Sequence, residues 1–279
     1  MNFRLINFTH KYITKYIIVI TNTVRIREVK APDKWMFDKD ILKWFVLVRS
    51  MDKEAVLKRF DTLAPNYDNY ISRVDGYSKT IDRIIELAEA QKPSIVLDLG
   101  TGTGTVSFRL APRVAKVYAR DISQKMLQVA KEKASKSKIE NIDFGYGTFS
   151  EPNCSEKVDL IVSNLAFHHL NDNEKREAIK VWIDLLKPGG KVILGDHMWF
   201  FDHRKEPERR DRLVRKIIET LGDPKRPIEE QIEELEKRDH PANIYDLKKF
   251  FEEAGFIVEK IEETLSPVMG IIVAAKPKK

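Results

Sequence analysis

From residue 51 onward the apolar positions follow two periods in turn. KEAVLKRFDTL and YSKTIDRIIELAEAQ carry them at helical spacing, and APNYDNY between the two reads as a loop. SIVLDLG is a strand opened by Pro93, and it runs into glycines at 100, 102 and 104. Helix VSFRLAPRVA follows, then strand KVYARDIS, helix QKMLQVAKEKASK, and strands IDFGYG and KVDLIVSNLAF. In NDNEKREAIKVWIDLL the apolar positions Ala178, Val181, Trp182, Leu185 and Leu186 share one helical face. KPGG stops that helix and turns the chain into strand KVILGDH. Two charged helical stretches come next, RKEPERRDRLVRKIIETL and PIEEQIEELEKR, whose charge runs are solvated faces. Helix IYDLKKFFEEAGF and strands VEKIEET and GIIVAAKP close the chain.

Strands alternating with helices in this way predict an α/β domain, a largely parallel sheet covered on both faces. The helices of 51–92 and the helical insertion of 204–238 stand outside the alternation and are expected to form a lid. Residues 1–50 differ in character. Their longest fully apolar run, Tyr16 to Ile20, is too short for a signal-peptide core or a membrane span. ITNTVRI suggests a strand and DKDILKWFVLV a short amphipathic helix. This extension is either sequence added upstream of a natural start at Met51, or a basic, aromatic segment that docks on a partner subunit or a membrane surface.

Composition narrows the class. With 42% hydrophobic and 33% charged residues among 279, the chain is a globular protein with length enough for a proper core. Cys154 is the one cysteine, so no disulfide can close within the chain and no thiolate cluster can hold zinc, which fits a reducing cytoplasm. The net charge of +6 lies wholly in residues 1–50, with 10 Lys+Arg against 4 Asp+Glu; the other 229 residues carry 39 of each sign. A neutral main body has no footprint for gripping phosphate backbones, so no nucleic-acid partner is expected.

In an open parallel sheet, ligands bind beyond the carboxyl ends of the strands. A glycine turn there lets the main chain approach a ligand, and the helix that follows offers free N–H groups. Gly100, Gly102 and Gly104 fit that place. Asp121 ends the second strand about 20 residues on, where a carboxylate can accept from both ribose hydroxyls. Asp98, inside VLDLG, would repel a pyrophosphate but suits a ligand bearing an ammonium or sulfonium charge. The spacing G-T-G-T-G also departs from the dinucleotide G-x-G-x-x-G, which disfavours a nicotinamide-dependent oxidoreductase.

VLDLGTGTG, the acidic ARDIS, VDLIVSNLAFHHL and LKPGGKVIL, in this order and spacing, resemble class I S-adenosylmethionine-dependent methyltransferases. The resemblance spans Met51 to Lys276 and is nearest the small-molecule branch related to the ubiquinone/menaquinone-biosynthesis enzymes, whose N-terminal lead-in RFDTLAPNYDNY resembles. It implies a doubly wound, Rossmann-like, seven-stranded sheet, mostly parallel with an antiparallel last strand, and S-adenosylmethionine as cofactor. By the same resemblance, Gly100, Gly102 and Gly104 lie along the methionine part of the cofactor, and Asp98 supports their loop and the ammonium side. Asp121, followed by Ile122, holds the ribose. Asn164 and Leu165 lie beside the amino group and sulfonium, and Tyr67 closes over the methionine end. One position departs from the family: the usual Gly-Asp pair after the third strand is Gly147-Thr148, so Thr148 would meet adenine by its hydroxyl or backbone.

Methyl transfer is an in-line displacement at a sulfonium, in which alignment can contribute roughly 7–11 kcal/mol. A general base adds about 10²–10⁴-fold only where the acceptor has a proton to lose. Base candidates belong at the ends of strands four and five: His168 and His169 after the fourth, His197 after the fifth. His169 and His197 are the catalytic candidates, set against structural roles for FHHL. Met198, Trp199, Phe200 and Phe201 would line an apolar pocket or fill core. His203 and His240 lie among charges and are expected to be solvated. His197, His203 and Asp202 do not form a recognisable ligand spacing, so no metal is expected. NLAF in place of Asn-Pro-Pro-Tyr argues against amino-methylation of nucleobases or glutamine, and a lone Cys154 against carbon-5 pyrimidine chemistry. A small-molecule acceptor remains; the competing reading is a regulatory or complex-forming protein that binds S-adenosylmethionine without transferring its methyl.

Overall fold

The computed structural model describes residues 54–278 apart from Asp75 and residues 265–267, and four short strands within residues 6–24. The chain forms two compact units, Met1–Ser50 and Met51–Lys279. In the first, Ile6–His10 pairs antiparallel with Ile13–Ile17, and Val19–Ile20 with Thr23–Val24. ITNTVRI therefore contributes to two antiparallel strands rather than one. The amphipathic helix expected at 38–48 and the helix start at Met51 lie outside the described residues.

The second unit begins with α1 (residues 54–63), a 3-10 turn Ala64–Asn66 and α2 (Tyr67–Ile71). APNYDNY is thus helical, not a loop; Pro65 is seated in the first turn, where its missing N–H costs nothing. After α3 (Tyr77–Ala88), the alternation runs β1 (Ile95–Leu99), α4 (Thr105–Leu110), β2 (Lys116–Asp121), α5 (Gln124–Ser137), β3 (Ile142–Tyr146), β4 (Val158–Asn164), α6 (Asp172–Leu185) and β5 (Leu186–Trp199). α7 (Pro207–Leu221) and α8 (Ile228–Arg238) form the insertion, and β6 (Ala242–Asn243), α9 (Ile244–Glu253), β7 (Ile257–Glu263) and β8 (Met269–Ala275) complete the unit.

The strand order is β7-β8-β5-β4-β1-β2-β3, with the short β6 added to β5. β8 is antiparallel to both neighbours; the pairings among β1 to β5, and that of β6, are parallel. Strand alternation builds the two layers. Val96, Leu160, Val162 and Ile193 face α3 and α4 (Ile81, Ile84, Val106, Leu110), while Leu97, Ile161, Val192 and Leu194 face α6 and α9 (Trp182, Leu247, Phe251).

Local chemistry fixes the ends that matter. Asn171 caps α6, accepting from the Asn173 and Glu174 N–H groups while Glu174 accepts the Asn171 N–H, a full capping box. The buried side of α6 is Lys175, Ala178, Ile179 and Trp182; Val181 and Leu185 are only half-buried, and Leu186 already belongs to β5. KPGG does not separate helix from strand as a free turn. It is a bulge inside β5, whose pairing with β4 skips from Val158–Leu186 to Leu160–Lys191.

β5 also runs past the predicted end of KVILGDH, to Trp199, because β6 pairs with Met198 and Trp199 and the Met198 N–H donates to Val268 O at 2.9 Å. Met198, Trp199 and Phe201 are core residues, and half-buried Phe200 packs over Gly270. Trp199, Phe201 and Val268 seat α7 and α8 through Val214, Ile217, Ile232 and Leu235. Among the described residues no helix is long and apolar enough to cross a membrane.

Candidate functional site

The ends of β1, β2 and β4 meet at the glycine loop, whose three glycines do different work. All have positive φ, +70° at Gly100, +55° at Gly102 and +89° at Gly104, a region that L side chains disfavour. A Cβ at Gly100 would overlap Ala166, and one at Gly104 would come within 2.7 Å of the Phe108 ring. Those two are bare for close packing. Of the three, Gly102 faces room: among the described residues beyond its chain neighbours, a Cβ there would meet only Tyr67 Cε1, at 3.9 Å.

Asp98 is buried beneath this loop. Its Oδ2 accepts the hydroxyls of Thr101 at 2.8 Å and Ser107 at 2.6 Å, so it anchors the loop and the start of α4. Burial pushes its carboxyl up to about 6 despite those two bonds. Asp121, at the end of β2, accepts from Gly102 N and Ser123 N, each at 2.8 Å, and from the Ile122 N–H. Burial raises its pKa as well. Gly147 N donates to the Asp121 carbonyl at 3.3 Å, which brings the β3 end alongside. There the Thr148 hydroxyl accepts the Glu151 N–H at 2.9 Å and closes a local turn, so its oxygen has one acceptor position already in use.

Tyr67 joins this group from the N-terminal helices. It packs with Leu165, Ile71 and Met269, and burial beside Tyr77 and Asp121 pushes its phenol well above the usual range. Leu165 itself has φ +52°, a strained turn after β4 held by a 2.9 Å bond from its N–H to Gly195 O. Asn164 Oδ1 is buried with no hydrogen-bond donor among the described residues. A buried amide oxygen left unpaired costs about 1–3 kcal/mol, and a ligand ammonium would supply the donor it lacks. The open face of Gly102, the Asp121 carboxylate and the orphaned Asn164 oxygen together fit a cofactor with an amino-acid end and a ribose.

The second group of polar residues lies past β4 and along β5. His197 does not follow β5 as the sequence suggested; it sits within it, opposite Met269 of β8. Asp196, buried beside it, accepts from His168 Nδ1 at 2.5 Å, from His168 N at 2.9 Å and from His197 N at 2.7 Å. The pair polarises itself: although burial opposes both charges, Asp196 raises the His168 pKa and His168 lowers that of Asp196. Burial, then the neighbouring His168, holds His197 down at about 4. His169 is pushed down by the same two causes and stands 3.0 Å from Asp239 Oδ1. Nδ1 reaches that carboxylate as an ion-pair contact, while Nε2 is buried without a hydrogen-bond partner among the described residues.

Asp239 is a site residue that the sequence did not disclose. It follows α8, some 70 residues from the histidines, and arrives because His240 N donates to His168 O at 2.6 Å. Arg238 holds it through two bonds, Nε to Oδ1 at 2.7 Å and Nη2 to Oδ2 at 2.8 Å. Phe60 of α1 links the two groups, with ring centroids 5.3 Å from His169 and 6.2 Å from Tyr67. His203, expected to be solvated, is half-buried against Trp199 at 5.6 Å. His240 is exposed.

Comparison with known proteins places this geometry. Residues 96–190, from β1 into β5, match the family described as "Methyltransferase domain". An uncharacterised methyltransferase of Bacillus velezensis is 31% identical over 206 residues, covering 71% of this chain and 87% of that one. Another, from Anoxybacillus flavithermus, is 37% identical over 145 residues, 49% of this chain; the match spans just under two thirds of that relative, 65%. Magnesium protoporphyrin IX methyltransferase from Synechocystis PCC 6803, solved with bound SAH, shares the fold at a TM-score of 0.59 and 19% identity, over 80% of this chain and 99% of that one. The chain belongs to the class I methyltransferases, whose methyl donor is S-adenosylmethionine.

Proposed function

We propose that this protein transfers the methyl group of S-adenosylmethionine to a small-molecule acceptor in the cytoplasm, with the acceptor seated between the cofactor loop and the His168–His169–His197 group. The observation that carries the reading is the Phe60 bridge. It sets His169, whose Nε2 is buried without a hydrogen-bond partner among the described residues, next to Tyr67, which itself covers the open face of Gly102. In this reading Asn164 and the Gly102 loop hold the amino-acid end, Asp121 the ribose and Thr148 the edge of the adenine. Helices α1, α2 and α8 exclude water, and His169 and His197 border the acceptor. A neutral main body and a site roofed by helices favour a metabolite over a polymer.

The test is calorimetric titration with S-adenosylmethionine, S-adenosylhomocysteine and NADH, followed by S-adenosylhomocysteine release with a panel of metabolite thiols, amines, phenols and acids. Micromolar binding of the first two ligands without NADH, and turnover with one acceptor class, is the expected result. Tight binding without turnover across the panel would favour the non-catalytic reading. Asp121→Ala should weaken S-adenosylmethionine binding by about 10- to 100-fold, the value of one or two charge-assisted bonds. Unchanged affinity would remove the ribose from that carboxylate.

A further inference from the structure

We infer that His168, His169 and Asp239 form a binding site for a divalent metal ion of the zinc type. One nitrogen from each ring and one Asp239 oxygen lie within 4.8 Å of one another. Two of the separations are 3.0 Å from His169 Nδ1 to Asp239 Oδ1 and 4.0 Å from His168 Nε2 to the same oxygen. A tetrahedral ion with ligands at 2.0–2.1 Å sets them about 3.3 Å apart, so a contraction of under about 1.5 Å at the widest pair closes the set.

The surroundings are those that a metal site needs. Asp196 binds His168 Nδ1, which fixes the tautomer and aims Nε2 at Asp239. This carboxylate–histidine arrangement is how proteins orient a ligating imidazole. Arg238 bonds the Asp239 carboxylate in turn, and a carboxylate with about four lone-pair positions retains one for an ion. His169 Nε2 is buried without a partner among the described residues, and its Nδ1 meets Asp239 Oδ1 at 3.0 Å, so an ion shared by the three side chains would supply what the ring lacks. His168 and His169 rings lie 4.1 Å apart at 50°, so their nitrogens converge without stacking. Two imidazoles and one carboxylate suit zinc and its neighbours, and three protein ligands leave a coordination position open. The inference concerns metal affinity alone, so it stands or falls separately from methyl transfer.

The experiment uses the full chain, stripped with a chelator and titrated with Zn²⁺ against a chromophoric competitor. One ion per chain is expected. His169→Gln and Asp239→Asn should each weaken it by at least about tenfold, and Asp196→Asn, which frees the ring of His168, by about 10- to 100-fold. His203→Gln and Cys154→Ser should leave it unchanged. Because buried substitutions can compromise folding, the wild-type chain gives a second readout: Zn²⁺ should shift the imidazole ring NMR resonances of His168 and His169 and leave those of His203 in place. Loss of stoichiometric binding in the wild type, survival of binding in both His169→Gln and Asp239→Asn, or unshifted His168 and His169 resonances at saturating Zn²⁺ would each overturn the assignment.

Discussion

At the scale of single residues, the glycine loop separates packing from binding. Ala at Gly100 carries both a left-handed backbone, at roughly 1–2 kcal/mol, and an overlap with Ala166. Ala at Gly102 carries the first cost alone, but its methyl group enters the space beside Tyr67. Gly100→Ala should therefore lower the melting temperature markedly, whereas Gly102→Ala should lower it slightly and weaken S-adenosylmethionine binding more than tenfold. Equal cofactor affinity in Gly102→Ala would show that the ligand avoids that face. Asp98 gives a pH signature. Its folded pKa, about 6, lies above the ordinary 3.8, so between those values the folded chain holds a proton that the unfolded chain has released. Stability from this group is then full below about pH 4 and falls as pH rises to about 6, by up to ~3 kcal/mol. Measured by urea midpoints, the wild type should lose that much relative to Asp98→Asn between about pH 4 and about pH 7. A constant difference would place the Asp98 pKa at its unfolded value.

Elements show why some of this was legible and some was not. Strands buried on both faces read as apolar runs, so VLDL, LIV and KVIL identified themselves, and the glycine loop and acidic strand end picked out from the sequence lie side by side, where the cofactor is proposed to bind. What escaped depended on partners far along the chain. β5 is prolonged past His197 by β6 and Val268, and the α8 end that delivers Asp239 is docked by one backbone bond to His168. No local pattern encodes either. Among the N-terminal helices, α1 and α3 were legible, and only the 3-10 turn and α2 escaped: APNYDNY is too short and polar for periodicity to speak, and it is held by tertiary bonds. Asp68 accepts the Thr103 hydroxyl at 2.5 Å and pairs with Lys133 at 2.8 Å, and Asp61 accepts the Ser123 hydroxyl at 2.6 Å. These two carboxylates latch α1 and α2 onto the glycine loop and α5. Asp61→Ala with Asp68→Ala should raise the S-adenosylmethionine dissociation rate about tenfold, given about 1–2 kcal/mol for such bonds, with little change in melting. Stopped-flow displacement measures it, and an unaltered rate would mean the latch does not govern release.

For the whole molecule, the chain's charge and its fold belong to different parts. Both core layers that flank the sheet are built from residues between Ile81 and Ala274, and the latches begin at Asp61. The compact unit Met51–Lys279 therefore has its own sheet, both helical layers and every residue placed in the cofactor site. Its net formal charge is zero, while residues 1–50 carry the whole +6. A chain of residues 51–279 should accordingly unfold in one cooperative transition and bind S-adenosylmethionine with the affinity of the full chain. The full chain should be retained on a polyanionic matrix at low salt and released as salt rises, since interactions of exposed charges are screened within about 10 Å at 0.1 M; the shorter chain should pass through. If the shorter chain instead loses cofactor affinity, the extension contributes to the site and not only to charge. If it keeps that affinity but still binds the matrix, the basic surface lies on the methyltransferase unit, and a polyanionic acceptor becomes the better reading of what is methylated.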